Sequence, residues 1–296
     1  MLSDLELARR AALAGAAVAI RHFGALAGLP RELKPDGSVV TAADRDTEAA
    51  ILAVLRAERP QDTVLGEESG TVPGEEGEES GTVPGERGAE SGTAPGEEGA
   101  ENGGGGRRLR RWIVDPIDGT AQFVTGDPRW LVLVALEYGG AIVAAVAAIP
   151  AQGTLWWATR GGGAYRSALD GTGERRLTVA TDRPETLDGA RLGVVPAPPN
   201  YLDADRVIAA PLAEVATEVD WAEHAPLQVA SGDLDLAVQT RGQVWDFAAT
   251  SLIVTEAGGT YGGADGVRGP RPGTSLFARS PELWRAASDA LWRQHT

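Results

Sequence analysis

The most informative stretch of the chain is Trp112-Ile113-Val114-Asp115-Pro116-Ile117-Asp118-Gly119-Thr120. The apolar residues before Asp115 predict a buried strand over 111–114. Because Pro116 has no N–H to donate to a sheet, we expect the chain to leave the strand there and turn. A helix is predicted to start after Asp118, which leaves the N–H groups of Gly119 and Thr120 free to face an anion.

Two carboxylates three residues apart, with the Ile117 carbonyl between them, offer the oxygen ligands that Mg²⁺ and Mn²⁺ prefer. Asp-Pro and Asp-Gly are also common turn residues, so this stretch alone is equally compatible with a plain turn. Two further acids favour a metal site. Glu67 follows a predicted buried strand over 63–65, and Asp246 starts an apolar helix, where it is also a suitable N-cap. If all four carboxylates converge, divalent cations are needed to neutralise them, and these would also admit a phosphate dianion.

Hydrophobic periodicity predicts alternating helices and strands around this stretch. We predict helices over 3–27, 42–59 (capped by Thr41 or Asp44), 203–213 and 246–257, with a short helix before Ala230. We predict a hairpin of strands 131–137 and 141–149, and further strands over 154–158, 163–166, 191–195 and 234–238 and near Glu218. This order is typical of a layered, mixed α/β architecture.

Residues 67–106 contain an eleven-residue repeat that is rich in Gly, Pro and Glu. With eleven Glu and one Arg, the segment carries −10 of the chain's net charge of −15. Each copy has too few apolar residues to offset the entropy of ordering, so we predict a disordered acidic insertion at about 69–106. The alternative is an acidic docking arm or a weak calcium-binding loop.

Composition excludes several classes of function. The 296 residues include no Cys and only three His, His22, His224 and His295. Without Cys, disulfides, thiolate nucleophiles and Cys-built metal sites are excluded, and a cytoplasmic location is favoured. The negative charge disfavours nucleic acid as a partner, and no apolar run of 18 residues supports a membrane span. None of the histidines lies in a recognised hydrolase or metalloprotease motif.

The ordered motifs resemble the inositol monophosphatase family of metal-dependent, lithium-sensitive phosphatases. The motifs that carry the resemblance are Gly66-Glu67-Glu68, Asp115 to Thr120, Trp245-Asp246-Phe247-Ala248-Ala249 and Glu256-Ala257-Gly258-Gly259. The N-terminal region of the family is similar in two further pairs, Lys34 with Asp36 and Thr41 with Asp44. The match spans about residues 1–280. It implies a five-layered αβαβα sandwich, which we divide into an N-terminal half over 1–180 with the metal site and a C-terminal half over 181–296. It also implies a homodimer.

The resemblance implies two to three Mg²⁺ ions, with Mn²⁺ as an alternative, bound by Glu67, Asp115, the Ile117 carbonyl, Asp118 and Asp246. Gly-Glu-Glu recurs at Gly74, Gly77 and Gly96; we choose Glu67 because only this copy follows directly on a buried strand. The implied mechanism is attack of a metal-activated water on phosphorus. Glu67 and Thr120 would orient or deprotonate the water and Asp115 would bridge ions. Asp118, Gly119 and Thr120 would bind the phosphate. Lys34 and Asp44 would contact the groups that bind the metal or the water and so help to position them.

The predicted leaving-group region is Ser231-Gly232-Asp233 together with Gln239. Inositol-phosphate enzymes resemble one another in carrying an acid at the position of Gln239, so this departure disfavours inositol phosphate. The prediction is therefore a phosphatase for a small polyol, sugar, amino-alcohol or nucleotide monophosphate. Within the family the alternatives are a histidinol-phosphate phosphatase and a 3'(2'),5'-bisphosphate nucleotidase. The alternative of another class is a catalytically inactive binding or regulatory protein.

Overall fold

The computed structural model describes residues 2–26, 31–33, 39–75, 109–183 and 185–292. Within these ranges the helices are α1 Asp4–Phe23, α2 Ala42–Glu58, α3 Thr120–Thr125, α4 Asp203–Ala213, α5 Ala225–Ala230, α6 Val244–Glu256 and α7 Pro281–Trp292. The strands are β1 Arg31–Leu33, β2 Val39–Thr41, β3 Thr63–Gly66, β4 Gly70–Val72, β5 Arg110–Asp118, β6 Leu131–Tyr138, β7 Ala141–Ile149, β8 Thr154–Thr159, β9 Gly163–Ala168, β10 Arg175–Arg176, β11 Arg191–Val195, β12 Thr217–Glu218, β13 Leu236–Gln239, β14 Thr260–Gly263 and β15 Ser275–Ala278.

The strands form two large mixed sheets and a short hairpin, β1-β2. The first large sheet has the order β10-β9-β8-β7-β6-β5-β3-β4, and the second has the order β12-β11-β13-β15-β14. β3 and β5 run parallel, with Gly66 opposite Val114. Consequently their carboxyl ends, which carry Glu67 and Asp115, meet at one edge of the first sheet.

Three buried clusters of apolar side chains define the layers. One joins α1 and α2 to a face of the first sheet. The second fills the space between the two sheets around α5 and α6, and the third joins the far face of the second sheet to α4 and α7. The order is therefore helix, sheet, helix, sheet, helix, which confirms the predicted five-layered αβαβα sandwich. The division into halves over 1–180 and 181–296 stays a prediction.

Most predicted elements are present, and three details differ. β5 continues through Pro116 to Asp118, so the predicted exit at the proline is wrong. Asp115 pairs with Leu133 and Asp118 with Leu131. The extra residue between these pairs is a bulge, where no ladder N–H is needed from Pro116. α6 begins at Val244 with Gln243 as its N-cap, so Asp246 lies inside the first turn and is not the cap itself. β14, β15, α7 and the short strands β1, β4 and β10 were not predicted from the sequence.

The predicted disorder of the acidic insertion is wrong for its first residues. Gly70–Val72 forms β4, which pairs antiparallel with β3. Pairing with β3 thus orders this segment although it has few apolar side chains to bury. Residues 76–108 lie outside the described residues, as do Lys34, Asp36 and the Gly-Glu-Glu copies at Gly77 and Gly96. None of the helices in the described ranges has the length and apolar character that crossing a membrane requires.

Candidate metal centre

Three aspartates converge at the carboxyl end of β5. Each of Asp115, Asp118 and Asp246 offers one ligand oxygen, and these oxygens all lie within 4.8 Å of one another. Asp115 ends the regular part of β5, and the bulge after it brings Asp118 back to the same edge. Asp246 enters from the first turn of α6, where its carboxylate also accepts from the backbone N–H of Gln243. The predicted acids thus meet although they are far apart in the chain.

Glu67 lies beside this cluster, and hydrogen bonds of its own N–H and of the next two N–H groups fix its backbone. Its own N–H donates to the Val114 carbonyl at 3.1 Å. The next two N–H groups, of Glu68 and Ser69, donate to the buried Glu48 carboxylate of α2 at 2.9 Å each. A side chain at Gly66 would place its Cβ 2.6 Å from Glu48 Oε2, so only glycine permits this close approach. Sequence reasoning missed Glu48, since its position on α2 indicates only an amphipathic helix.

The cluster concentrates negative charge in a buried place. Burial raises the pKa of Asp115 well above its ordinary value, and Glu67, Asp118 and Asp246 raise it further. Burial likewise raises the pKa of Asp118, followed by the charges of Asp246 and Glu67. Asp115 Oδ1 is buried and finds no hydrogen-bond partner among the described residues. An oxygen-only donor set with an unpartnered carboxylate oxygen fits a hard divalent cation.

Thr120 links this centre to α2. Its hydroxyl has one proton and two acceptors within reach, Asp44 Oδ1 at 3.2 Å and the Ile117 carbonyl at 3.1 Å. The other oxygen of Asp44 accepts from the N–H and hydroxyl of Thr41, at 2.8 and 2.7 Å, which forms the capping box of α2. Burial raises the pKa of Asp44 even though these hydrogen bonds oppose it. Thr41 and Asp44 therefore cap α2 together, and Asp44 also orients Thr120.

The start of α3 depends on Gly119. Its φ of 88° lies in the left-handed region, which a residue with a Cβ rarely adopts. Because Gly119 is the residue before the helix, the N–H groups of the first turn have no acceptor inside α3. These donors border the same cavity as the aspartates.

A cavity of about 500 Å³ opens at the cluster, and Glu67, Asp115, Ile117, Asp118, Gly119, Thr120, Gln239 and Asp246 are among its lining residues. Of the four predicted leaving-group residues, one lines this cavity and three do not. Gln239 lines the cavity, whereas Ser231, Gly232 and Asp233 do not. The Ser231 hydroxyl donates to the Asp233 carboxylate at 2.5 Å, and the Gly232 carbonyl accepts from Arg183 at 3.2 Å. Their role in substrate binding stays a prediction.

His224 is a polar residue of the cavity that was not predicted as a site residue. Its side chain is 2 % exposed, and its Nε2 lies 3.6 Å from Asp118 Oδ2, which is longer than a hydrogen bond. Burial lowers the pKa of His224 to about 3. The imidazole is therefore neutral, and its contact with Asp118 is not an ion pair. Only the rarity of histidine in this chain could have drawn attention to it.

Comparison with known proteins agrees with this architecture. Residues 3–291 match the model of the inositol monophosphatase family. A histidinol-phosphatase of Mycobacterium tuberculosis is 34% identical over 259 residues, which cover 86% of this chain and 85% of that protein. A Streptomyces griseus protein named glucose-1-phosphate thymidylyltransferase is 34% identical over 265 residues, or 87% and 84% of the two chains.

Further relatives bear another phosphatase name. An inositol-1-monophosphatase of Mesorhizobium japonicum is 32% identical over 275 residues, which cover 92% of this chain and 89% of that protein. Among solved structures, the extragenic suppressor protein suhB of Bartonella henselae superposes with a TM-score of 0.73 at 26% identity, covering 97% of each chain. The similarity is thus spread over the whole length of the chain.

Proposed function

The chain belongs to the inositol monophosphatase family, and from this premise we propose that it is a phosphoric monoester hydrolase acting on a small organic phosphate. The observation that carries the proposal is the buried convergence of Asp115, Asp118 and Asp246 beside Glu67 in an open cavity. One relative carries a nucleotidyltransferase name. The family match and the relatives named as phosphatases favour hydrolysis instead.

The cofactor proposed is Mg²⁺, two to three ions, with Mn²⁺ as the alternative. Glu67, Asp115, the Ile117 carbonyl, Asp118 and Asp246 would hold the ions. When bound, such cations neutralise the carboxylates, lower the pKa of water and stabilise the charge that develops on the phosphate and on the leaving oxygen. The unpartnered Asp115 Oδ1 supports this assignment, because a buried carboxylate oxygen without a partner is costly.

The protein's own groups would orient the other participants. Thr120, which Asp44 orients through its hydroxyl, would position the attacking water together with Glu67. The N–H groups of Gly119 and Thr120 at the start of α3 would donate to phosphate oxygens and hold them as charge redistributes. The loop that presents Glu67 is fixed by Glu48, so the carboxylate meets the water in one geometry.

The substrate proposed is a polyol, sugar or amino-alcohol monophosphate, with histidinol phosphate as the candidate that the relatives' names favour. Gln239 is neutral at the position where the resemblance implies an acid in inositol-phosphate enzymes. A bisphosphate nucleotide is disfavoured because it needs free cations for its second phosphate. The two cavity arginines of the described residues are already paired, Arg129 with Asp127 at 2.6 Å and Arg241 with Asp205 at 3.0 Å.

The test is phosphate release by the purified full chain, first stripped with EDTA and then supplied with Mg²⁺ or Mn²⁺. The substrates are histidinol phosphate, inositol 1-phosphate, glycerol 2-phosphate and adenosine 3',5'-bisphosphate. We expect metal-dependent release from the monophosphates. No release from any of them with either metal would leave a binding or regulatory protein as the function. Light scattering of the same sample tests the predicted homodimer, and fractionation of cells tests the predicted cytoplasmic location.

A further inference from the structure

The imidazole ring of His224 is fixed in place, but its two nitrogens make no hydrogen bond within the described residues. It is the N-cap residue of α5, and its carbonyl accepts from the Gln228 N–H at 3.0 Å. Its ring centroid lies 5.9 Å from that of Trp221, and the two rings are nearly perpendicular. The Trp221 Nε1–H donates to the Val194 carbonyl at 2.8 Å. The backbone and the neighbouring ring thus fix the imidazole without using either of its nitrogens.

Both ring nitrogens are buried and find no hydrogen-bond partner among the described residues. A buried polar atom without a partner costs free energy, and a chain retains one mainly where something else supplies the bond. His224 lines the cavity at the cluster, and so does Gln239, whose buried Oε1 likewise lacks a partner in the described ranges. The cavity therefore presents the unpartnered polar atoms of His224 and Gln239 beside its aspartates.

The position of His224 separates it from the metal ligands. Its Nε2 lies 3.6 Å from Asp118, yet it is not part of the group of three acids whose ligand atoms all lie within 4.8 Å of one another. It therefore lies beside Asp118 but outside the group of three aspartates. When the phosphate of a substrate occupies the cluster, a substituent of the leaving group that hydrogen-bonds His224 is therefore only a few bonds away from the ester oxygen.

We propose that His224 is a specificity-determining residue that hydrogen-bonds a hydroxyl or amino substituent on the leaving group of the substrate, close to the ester oxygen. This inference rests on the proposed phosphatase function and narrows it to monoesters that carry such a substituent. The two unpartnered nitrogens of the imidazole can form hydrogen bonds with a hydroxyl or an amine. An alkyl ester would leave both nitrogens unpaired, and a site of this kind discriminates strongly against such analogues.

The experiment compares three esters of one carbon skeleton: propyl phosphate, 2-hydroxypropyl phosphate and 2-aminopropyl phosphate. For the wild-type protein with Mg²⁺, we expect kcat/KM to be higher for one or both substituted esters than for propyl phosphate, and the better of the two identifies the substituent. His224→Phe keeps a flat ring without nitrogens, and we expect the ratio of kcat/KM, substituted over propyl, to fall about 10- to 100-fold. His224→Gln keeps one donor and one acceptor and should restore part of the ratio. His22→Phe is the control, because His22 lies on α1 and pairs with Asp46.

Two results would overturn the inference. An equal loss for all three esters, or no loss for any, would show that His224 does not read the substituent. A rise of more than about tenfold in the Mg²⁺ concentration for half-maximal activity, in both His224 variants, would make His224 a metal ligand instead.

Calorimetric binding of 2-hydroxypropyl-, 2-aminopropyl- and propylphosphonate, run in parallel, separates this inference from the proposed function. If the wild type hydrolyses nothing but its preference for a substituted phosphonate disappears in His224→Phe, the proposed function fails and the role of His224 stands. If the wild type binds all three phosphonates equally, the role of His224 fails.

Discussion

Replacement of Asp118 by Asn is expected to change stability and activity in opposite directions. In the metal-free protein, Asp118 faces Asp246 with ligand oxygens no more than 4.8 Å apart. At this distance and an effective dielectric constant of about 20, two negative charges repel by about 3.5 kcal/mol. Burial raises the pKa of Asp118, and the charges of Asp246 and Glu67 raise it further. We therefore expect Asp118→Asn to raise the free energy of unfolding in EDTA by about 1–3 kcal/mol.

The same substitution should weaken the binding of Mg²⁺ and lower the phosphatase activity. A neutral amide does not attract a divalent cation as a carboxylate does, and the phosphate dianion depends on that cation for neutralisation, so kcat/KM should fall by on the order of 10²- to 10³-fold. The assay is urea unfolding followed by tryptophan fluorescence, with EDTA or with saturating Mg²⁺, alongside phosphate release. Mg²⁺ should stabilise the wild type clearly more than the variant, since it binds only the folded state.

Asp188→Asn is the matched control, because Asp188 is exposed and does not line the cavity. It should leave both measurements near the wild-type values. A variant that is less stable than the wild type in EDTA, or equal stabilisation of the two proteins by Mg²⁺, would contradict this prediction. Either outcome would mean that the carboxylates do not repel one another and do not share an ion.

Three more predictions concern the neighbours of the cluster. Glu48→Ala removes two hydrogen bonds of 2.9 Å to the loop after Glu67. It should lower the free energy of unfolding by about 2–4 kcal/mol and lower kcat by about 10- to 100-fold. Glu48→Gln should give intermediate values in urea unfolding and in phosphate release. In EDTA, stability should fall as pH rises above about 4, because the raised pKa values of Asp115 and Asp118 let the folded state hold more protons there. The slope approaches about 1.4 kcal/mol per pH unit for each proton, and saturating Mg²⁺ should flatten it in urea titrations across pH. Replacing residues 76–108 by a short Gly-Ser linker should leave phosphatase activity within about threefold, whereas a deletion that starts at Ser69 should abolish it, because it removes β4 and the Ser69 contact with Glu48.

The acids of the centre could be predicted because local rules and tertiary structure agree there. Apolar runs predict the elements that carry Asp115 and Asp246; Asp115 ends the regular part of β5, and Asp246 lies in the first turn of α6. The bulge at Pro116 and strand β4 could not be predicted in this way. In both cases a neighbouring strand decides the conformation, through the pairing of β5 with β6 and of β4 with β3. Pairing of this kind is a long-range property that local propensity does not contain.

Glu48 and His224 were missed for a related reason, since residue type indicates what a side chain can bond but not whether those bonds are made. Asp235 is as deeply buried as His224, yet its carboxylate accepts from Arg183 and Arg279 at 3.0 Å and from the Arg191 N–H at 2.8 Å. Its interactions are complete, so it is structural. Of the seven buried side-chain polar atoms without a partner in the described ranges, four belong to Asp115, His224 and Gln239, which line one cavity. Each such atom costs about 1–3 kcal/mol. Their concentration in one place is explained if cations and substrate complete the missing bonds, and it is this distribution that distinguishes the functional from the structural buried polar groups of the chain.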